Sequence, residues 1–114
     1  MAECIFCRII AGEIPATAVY EDAEIFAFRD INPAAPTHIL VIPRRHIGTL
    51  NDTGEEDRAL LGRLLEAARV IARDQGLVAG GYRVVMNVGE GAGQSVFHAH
   101  LHVLGGRPLA WPPG

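Results

Sequence analysis

The stretch SVFHAHLHVLGG, residues 95–106, places three histidines at every second position near the end of the chain. Side chains alternate across a β-strand, so a strand here puts His98, His100 and His102 on one face, spaced by about 7 Å. The apolar residues between them are predicted to face the core; they are Phe97, Ala99, Leu101 and Val103. A shared metal ion is one explanation, but neighbouring positions on one flat strand do not converge naturally on one ion. Packing alone explains three imidazoles in register poorly, so the pattern predicts a chemical role.

The glycine-rich loop just before the histidines supplies a second signal. Gly89, Gly91 and Gly93 allow backbone N–H groups to approach an anion closely, and Gln94 and Ser95 add side-chain donors. An anion held beside neutral imidazoles suggests a phosphorus centre. Histidine titrates near neutral pH, so it can serve there as nucleophile, acid or base.

Length and composition bound the class of protein. The chain has 114 residues, of which 49% are hydrophobic, and this predicts one domain over residues 1–114. The net charge of -3 argues against a nucleic acid as the main partner, since such binding needs a surplus of Lys and Arg. We find no signal-peptide pattern and no apolar run near the roughly 20 residues that span a bilayer. We therefore expect a cytoplasmic protein with no membrane partner.

The order of the predicted elements indicates an α+β fold. A short helix is predicted from about Glu3 to Ile10 and a long helix within residues 51–76. Thr53 and Glu56 have capping-box spacing at the start of the long helix. Strands are predicted on both sides of residues 21–23 and at residues 37–43, 81–89 and 96–104. Since the strands do not alternate regularly with helices, the sheet is expected to be largely antiparallel.

Several segments together resemble the histidine triad (HIT) family. They are QSVFHAHLHVLGGR with its His-x-His-x-His signature, EIPA, YEDAEIFAFRDINPAAPTHILVIPRRHI, GYRVVMNVGEGAGQ and the closing WPPG. The ending is similar to the Hint branch of nucleoside phosphoramidases in particular. The resemblance implies the HIT fold, a five-stranded, mainly antiparallel sheet with one long and one short helix. It also implies a homodimer in which the long helix and a sheet edge pair, extending the sheet to ten strands.

The resemblance also implies an activity. Proteins of this branch hydrolyse the P–N bond of purine nucleoside phosphoramidates, such as AMP joined to lysine, to AMP and an amine. His100 matches the nucleophile, which attacks the α-phosphorus and forms a covalent nucleotidyl-histidine that water then hydrolyses. His102 matches the residue that contacts the phosphate and leaving group and can help to deliver a proton. Ser95 matches a loop hydroxyl that contacts the phosphoryl oxygens or the leaving amine. No cofactor is required for this chemistry.

The nucleotide site that the resemblance implies spans several parts of the chain. Its residues are Phe6, Ile9, Phe28, Asp30, Ile31, Asn87, Gly93, Gln94, Ser95, Val96, His100, His102 and Trp111. Asp30 matches a carboxylate that accepts the ribose hydroxyls, and four apolar members match the wall of the base pocket. Asn87 and the N–H groups of residues 93–96 would hold the phosphate. Trp111 resembles a tail residue that reaches the active site of the partner subunit.

The Cys-x-x-Cys pair indicates either a metal site or a redox pair, because a cytoplasmic protein seldom holds a structural disulfide. Cys4 and Cys7 share one face if they lie on a helix. Some members of the superfamily bind zinc with such a pair and two histidines that match His46 and His98. Such a site is tetrahedral, closed and structural. The alternative is that both cysteines are small buried hydrophobic residues. His38 is interpreted as structural.

Two further functions remain open at this point. One is hydrolysis of dinucleoside polyphosphates on the same scaffold. The other is a non-catalytic nucleotide-binding module that regulates a partner protein. The complete histidine triad favours an enzyme, and the glycine-rich loop and WPPG tail favour a phosphoramidate as the substrate.

Overall fold

A computed structural model describes residues 3–114, and within that range the fold has five strands and two α-helices. These are α1 (Ile5–Ile10), β1 (Ala18–Glu21), β2 (Ile25–Arg29), β3 (Thr37–Pro43), α2 (Arg58–Asp74), β4 (Tyr82–Val85) and β5 (Leu101–Gly105). The strands pair antiparallel in one sheet of order β1-β2-β3-β5-β4. This confirms the predicted α+β class and HIT-type sheet. The pairing of two such sheets in a dimer stays a prediction.

The two faces of the sheet are covered to different extents. The long helix α2 packs on one face, where the buried residues are Ile25, Ala27, Ile39, Val41, Leu64, Ala67, Ala68, Ile71, Ala72, Leu77, Leu101 and Val103. Phe6 of the short helix α1 packs on the other face, against Phe26, Phe28, Leu40 and Ile42. Burying each large apolar side chain stabilises the fold by about 1.5–3 kcal/mol. Because α1 is short, it covers only part of its face and leaves a cleft beside β3 and β5.

The long helix begins later than the sequence predicted. Thr53 and Glu56 do not form its capping box. Thr53 instead ends a one-turn 3-10 helix, and its hydroxyl donates to Leu50 O at 2.8 Å. The carboxylate of Asp57 accepts the Gly54 N–H and pairs with Arg45, so the chain makes two short turns before α2 begins at Arg58. Neither helix found in residues 3–114 combines the length and apolar character that a membrane crossing needs.

The last two strands are shorter than predicted. β4 ends at Val85, so Asn87 lies beyond the strand. β5 begins at Leu101, so His98 and His100 precede it in irregular chain. The register explains this start, because Pro43 at the end of β3 would face Ala99 and has no N–H to donate.

The irregular segment also changes which side chains are buried. Phe97 is 46% exposed, contrary to the prediction that it faces the core. Ala99, Leu101 and Val103 are buried as predicted. At the other end of the chain, α1 begins at Ile5, two residues later than predicted, because Cys4 is its N-cap.

Candidate active site and candidate metal site

A cleft of about 380 Å³ opens between α1, the end of β2 and the segment before β5. Its lining includes these residues of the predicted nucleotide site: Phe6, Ile9, Phe28, Asp30, Ile31, Ser95, Val96, His100 and His102. The lining combines apolar side chains from α1 and β2 with polar groups, among them the two histidines and Ser95. An apolar cleft with convergent polar groups is suited to a small ligand that has both apolar and polar parts.

The hydrogen bonds of His100 determine which ring nitrogen is free to react. The ring is 6% exposed, and its Nδ1 lies 2.7 Å from the backbone oxygen of His98. A carbonyl only accepts, so Nδ1 carries the proton and donates it. The lone pair of the neutral ring is therefore on Nε2. This orientation makes Nε2 the nucleophilic atom of a residue that lines the cleft.

His38, interpreted from the sequence as structural, belongs to the site. Its Nδ1 accepts the Ala34 N–H at 2.9 Å, which leaves the proton of the neutral ring on Nε2. That N–H donates to Nδ1 of His102 at 2.8 Å. His102 must then carry its own proton on Nε2, which is buried and has no hydrogen-bond partner among residues 3–114. A buried N–H without a partner is costly, so His102 has a donor available for a ligand.

Burial keeps these histidines neutral at physiological pH. Desolvation lowers the pKa of His100 and of His38, although nearby Asp30 opposes the shift in both. The pKa of His102 falls to about 4, first through burial and then through the neighbouring charges of His100 and His38. The rings of His100 and His102 are 4.9 Å apart, so protonating one disfavours protonating the other.

Asp30 lies at the edge of the cleft with its carboxylate held in place. Oδ1 accepts the Asn32 N–H at 2.8 Å, and Oδ2 lies 3.4 Å from Nε2 of His38. The side chain is 20% exposed, so its remaining lone pairs can accept from a ligand. Ile31 beside it is 88% exposed at the mouth of the cleft.

Four predicted nucleotide-site residues do not line the cleft. The side chain of Gln94 is committed to the loop, since its Oε1 accepts the Gly89 N–H and its Nε2 donates to Gly48 O and Val96 O. Gly93 adopts a left-handed φ of 94° at the end of the one-turn helix before it. Asn87 is half-buried beyond β4, and Trp111 is 80% exposed in the tail.

A second cluster of side chains lies behind the triad. Cys4 Sγ lies 3.5 Å from Nδ1 of His98, and Cys7 Sγ lies 3.6 Å from the same atom. Cys7 Sγ also lies 3.3 Å from Nδ1 of His46, and the four ligand atoms are all within 4.8 Å of one another. These separations match the edges of a zinc tetrahedron, roughly 3.3–3.8 Å for bonds of about 2.0 and 2.3 Å. The donor set therefore fits zinc.

The environment of His98 fits the role of a metal ligand. The residue is fully buried, and its Nε2–H donates to Pro43 O at 2.7 Å, so the lone pair on Nδ1 faces both sulfurs. Ligand histidines commonly donate their second N–H to a carbonyl in this way. Burial and neighbouring Cys4 raise the pKa of the Cys7 thiol, so a cation here would have to displace thiol protons.

Comparison with known proteins identifies the family. The HIT domain matches residues 11–109, and the chain belongs to the HIT family. A HIT family hydrolase from Legionella pneumophila has the same fold, with a TM-score of 0.96 and 55% identity over 98% of this chain and 100% of that one. A histidine triad protein from Clostridium difficile has a TM-score of 0.93 and 42% identity, covering 96% of each chain.

Curated relatives of similar length include a 14 kDa zinc-binding protein from Zea mays. It is 54% identical over 112 residues, which are 96% of this chain and 87% of the maize protein. An uncharacterised HIT-like protein from Synechococcus elongatus is also 54% identical over 112 residues, 98% of this chain and 97% of that protein. The HIT domain and the Legionella hydrolase support a hydrolase of the HIT family.

Proposed function

We propose that this protein is a nucleoside phosphoramidase of the Hint branch, which hydrolyses adenosine 5'-phosphoramidates such as AMP-lysine to AMP and the amine. The observation that carries the proposal is the fixed tautomer of His100. Its Nδ1–H donates to His98 O at 2.7 Å, which leaves a neutral Nε2 lone pair on a ring that lines the cleft. A positioned, unprotonated imidazole is the group that nucleophilic attack at phosphorus requires.

The reaction divides into two displacements at the α-phosphorus. In the first, the Nε2 lone pair of His100 forms the P–N bond to the enzyme while the P–N bond to the substrate amine breaks. The Nε2–H of His102 donates a hydrogen bond to the phosphoryl oxygen or to the departing nitrogen, which stabilises the charge that develops there. In the second, water attacks phosphorus, the bond to His100 breaks, and AMP is released. The proton that this water loses balances the proton that the departing nitrogen takes up in the first step to leave as the amine. Ser95, which lines the same cleft, would contact the phosphoryl oxygens or the amine.

The rest of the nucleotide fits the mixed apolar and polar lining of the cleft. The purine would pack against the apolar wall formed by Phe6, Ile9, Phe28 and Ile31. The carboxylate of Asp30, which also lines the cleft, would accept the ribose hydroxyls. The backbone N–H groups of Ser95 and Val96 and the amide of Asn87 would hold the phosphate. The N–H groups of Gly93 and Gln94 instead donate to Glu90 O and Gly89 O, and with the side chain of Gln94 they maintain the loop.

The decisive test of the nucleophile is His100→Asn, assayed with a fluorogenic adenosine phosphoramidate. We expect turnover to fall by about 10³-fold or more, with AMP affinity within about five-fold of wild type. Mass spectrometry of quenched wild-type reactions should find the nucleotidyl adduct on the peptide that contains position 100. Near-normal turnover of the variant, or an adduct at another residue, would refute the assignment. Parallel assays with diadenosine polyphosphates would reveal a polyphosphate hydrolase instead.

The cluster of Cys4, Cys7, His46 and His98 is proposed as a structural zinc site, and the maize relative is named as a zinc-binding protein. When bound, zinc would join the start of α1 to the segment before β5 and take no part in the displacements. Metal analysis should find one zinc per chain with both thiols protected from a thiol reagent. If the purified protein contains no zinc above background and its thiols react freely, this site is contradicted.

We further propose that the protein is a cytoplasmic homodimer. A shallow apolar hollow beside α2 is lined by Leu50, Leu61, Leu64, Leu65, Met86 and Leu101. It lies next to β4, one of the two edge strands of the sheet, and a second copy would cover both the hollow and this strand. The tail with exposed Trp111 would then be able to reach the partner. The cytoplasm is proposed because it keeps a thiol pair such as Cys4 and Cys7 reduced.

A further inference from the structure

The short helix α1 contributes to both the cleft and the cysteine–histidine cluster. Cys4 is its N-cap, where Sγ accepts the Cys7 N–H at 3.4 Å, so both thiols lie at its first turn. Phe6 and Ile9 of the same helix line the cleft. A movement of this helix therefore changes the cluster and the base-binding wall together.

His98 links the cluster directly to the nucleophile. Its ring faces both thiols through Nδ1, while its backbone oxygen accepts the Nδ1–H of His100 at 2.7 Å. Phe6 reinforces the link, because its ring packs edge-on against His98 at 5.8 Å and against His100 at 5.1 Å. The cluster and the nucleophile thus share one hydrogen bond and one aromatic contact.

Helix α1 depends on such contacts for its position. It has six residues, and a helix of this length is not stable alone in water. Phe6 is its buried side chain. The ion pair from Arg8 to Glu13 is exposed and contributes little. The contacts of the thiols with His46 and His98 therefore add to the apolar packing of Phe6, Ile9 and Ile10 in holding α1 against the triad.

We propose that Cys4, Cys7 and His46 are positioning residues for the nucleotide site, so that zinc in the cluster and a nucleotide in the cleft strengthen each other's binding. This inference rests on the proposed phosphoramidase function. Coupling between two binding sites is reciprocal by thermodynamic linkage. Zinc must lower the Kd of AMP by the same factor by which AMP lowers the Kd of zinc.

The test measures both halves of this cycle on the full chain. Calorimetry gives the Kd of AMP for zinc-loaded and zinc-free protein, and competition with a chromophoric chelator gives the Kd of zinc with and without AMP. We expect each Kd to fall by the same factor, about five- to fifty-fold, when the other ligand is bound. If zinc changes the Kd of AMP by less than two-fold, and AMP changes the Kd of zinc by less than two-fold, the inference is overturned. A purely structural zinc would raise the Tm and leave the Kd of AMP unchanged.

Two variants serve as controls. Cys4→Ala with Cys7→Ala should bind AMP no more tightly than the zinc-free wild type does and should not respond to added zinc. A response to zinc in that variant would mean that the ion bridges AMP and the triad, which would overturn the inference. In Phe6→Leu, which keeps all four residues of the cluster, the coupling should fall below two-fold when the Kd values are compared within that variant. Full coupling in Phe6→Leu would overturn the assigned contact.

The outcomes separate this inference from the proposed function. AMP that binds both forms equally removes the coupling and leaves the phosphoramidase standing. AMP that binds neither form removes both. A zinc-free chain that has lost its fold by circular dichroism, or a chain that does not bind zinc, overturns the positioning role alone.

Discussion

At the scale of single residues, hydrogen-bond partners determine which ring nitrogen carries the proton in each triad histidine. His98 donates from Nε2 and presents Nδ1 to the thiols, whereas His100 donates from Nδ1 and presents Nε2. His102 accepts at Nδ1 from His38 and keeps its proton on Nε2. The sequence predicted that the three histidines have separate roles. It did not predict the role of His38, because nothing local indicates which imidazole lies beside it.

Replacing His38 tests whether it orients His102. His38→Asn removes the donor that fixes the His102 tautomer, so we expect kcat to fall by about 10–100-fold. The KM should change little, because His38 does not line the cleft. Steady-state kinetics with the fluorogenic substrate measures both. Arg73→Gln, an exposed change in α2, is the control and should match wild type. A kcat within two-fold of wild type in His38→Asn would exclude the orienting role.

The pH dependence follows from the lowered pKa values of the same histidines. His100 must be unprotonated to attack, and its pKa is lowered by burial. The pKa of His102 is about 4, well below the usual 6.5. Because the pKa is lowered, the imidazole stays neutral as the pH falls through 6.5. It becomes protonated only when the pH approaches its lower pKa in the folded protein. We expect the midpoint of the acid limb of kcat/KM to lie below pH 6.5, with His100→Asn as the blank for acid hydrolysis. A midpoint at 6.5 or above would contradict this.

At the scale of elements, the alternation of apolar residues predicted the sheet well and its ends poorly. The strand at residues 37–43 was predicted with its observed bounds, because its apolar run is uninterrupted until Pro43. The last strand was predicted to start too early, because the alternation of apolar and polar residues continues through His98 and His100. Only the tertiary structure shows that Pro43 opposes Ala99 and that its carbonyl binds the His98 ring instead.

Two glycine substitutions should have opposite effects on stability. A Cβ added at Gly105 in β5 would lie 2.8 Å from Leu77 Cδ2 in the core, so Gly105→Ala should destabilise the fold by about 1–3 kcal/mol. Gly62 in α2 has nothing within 4 Å of the added atom, and Gly62→Ala should stabilise by about 0.5–1 kcal/mol. Urea denaturation at equal protein concentration measures both. If both substitutions change the free energy of unfolding in the same direction, the assigned packing is contradicted.

At the scale of the whole molecule, the topology brings together groups that are distant in sequence. β3 and β5 are neighbours, so residues 38 and 102 meet on one face, although 64 positions separate them. The sequence and its family resemblance placed the nucleotide near the triad, Asp30 and α1. They could not show that the side chain of Gln94 is hydrogen-bonded within the protein, because only the fold brings its acceptor, Gly48 O, close to it. Trp111, exposed in one chain, acquires its proposed role only in a dimer.

The proposed dimer makes a prediction about the apolar hollow beside α2. Leu65 lines this hollow and is 58% exposed in the single chain. Leu65→Glu would place a charge where the second copy has to exclude water, and burying an unpaired charge is strongly unfavourable. We expect sedimentation velocity to show a dimer for wild type at micromolar concentration and a monomer for Leu65→Glu.

Val78→Glu is the matched control, because Val78 is 64% exposed and lies outside the hollow. This variant should remain dimeric. If Trp111 completes the site of the partner, then the monomer formed by Leu65→Glu should also show a raised KM, and Trp111→Ala in the dimer should show the same change. A wild-type monomer would refute the interface and the Trp111 role together. A Leu65→Glu monomer with unchanged kinetics would refute only the role of Trp111, because each cleft would then be complete within one chain.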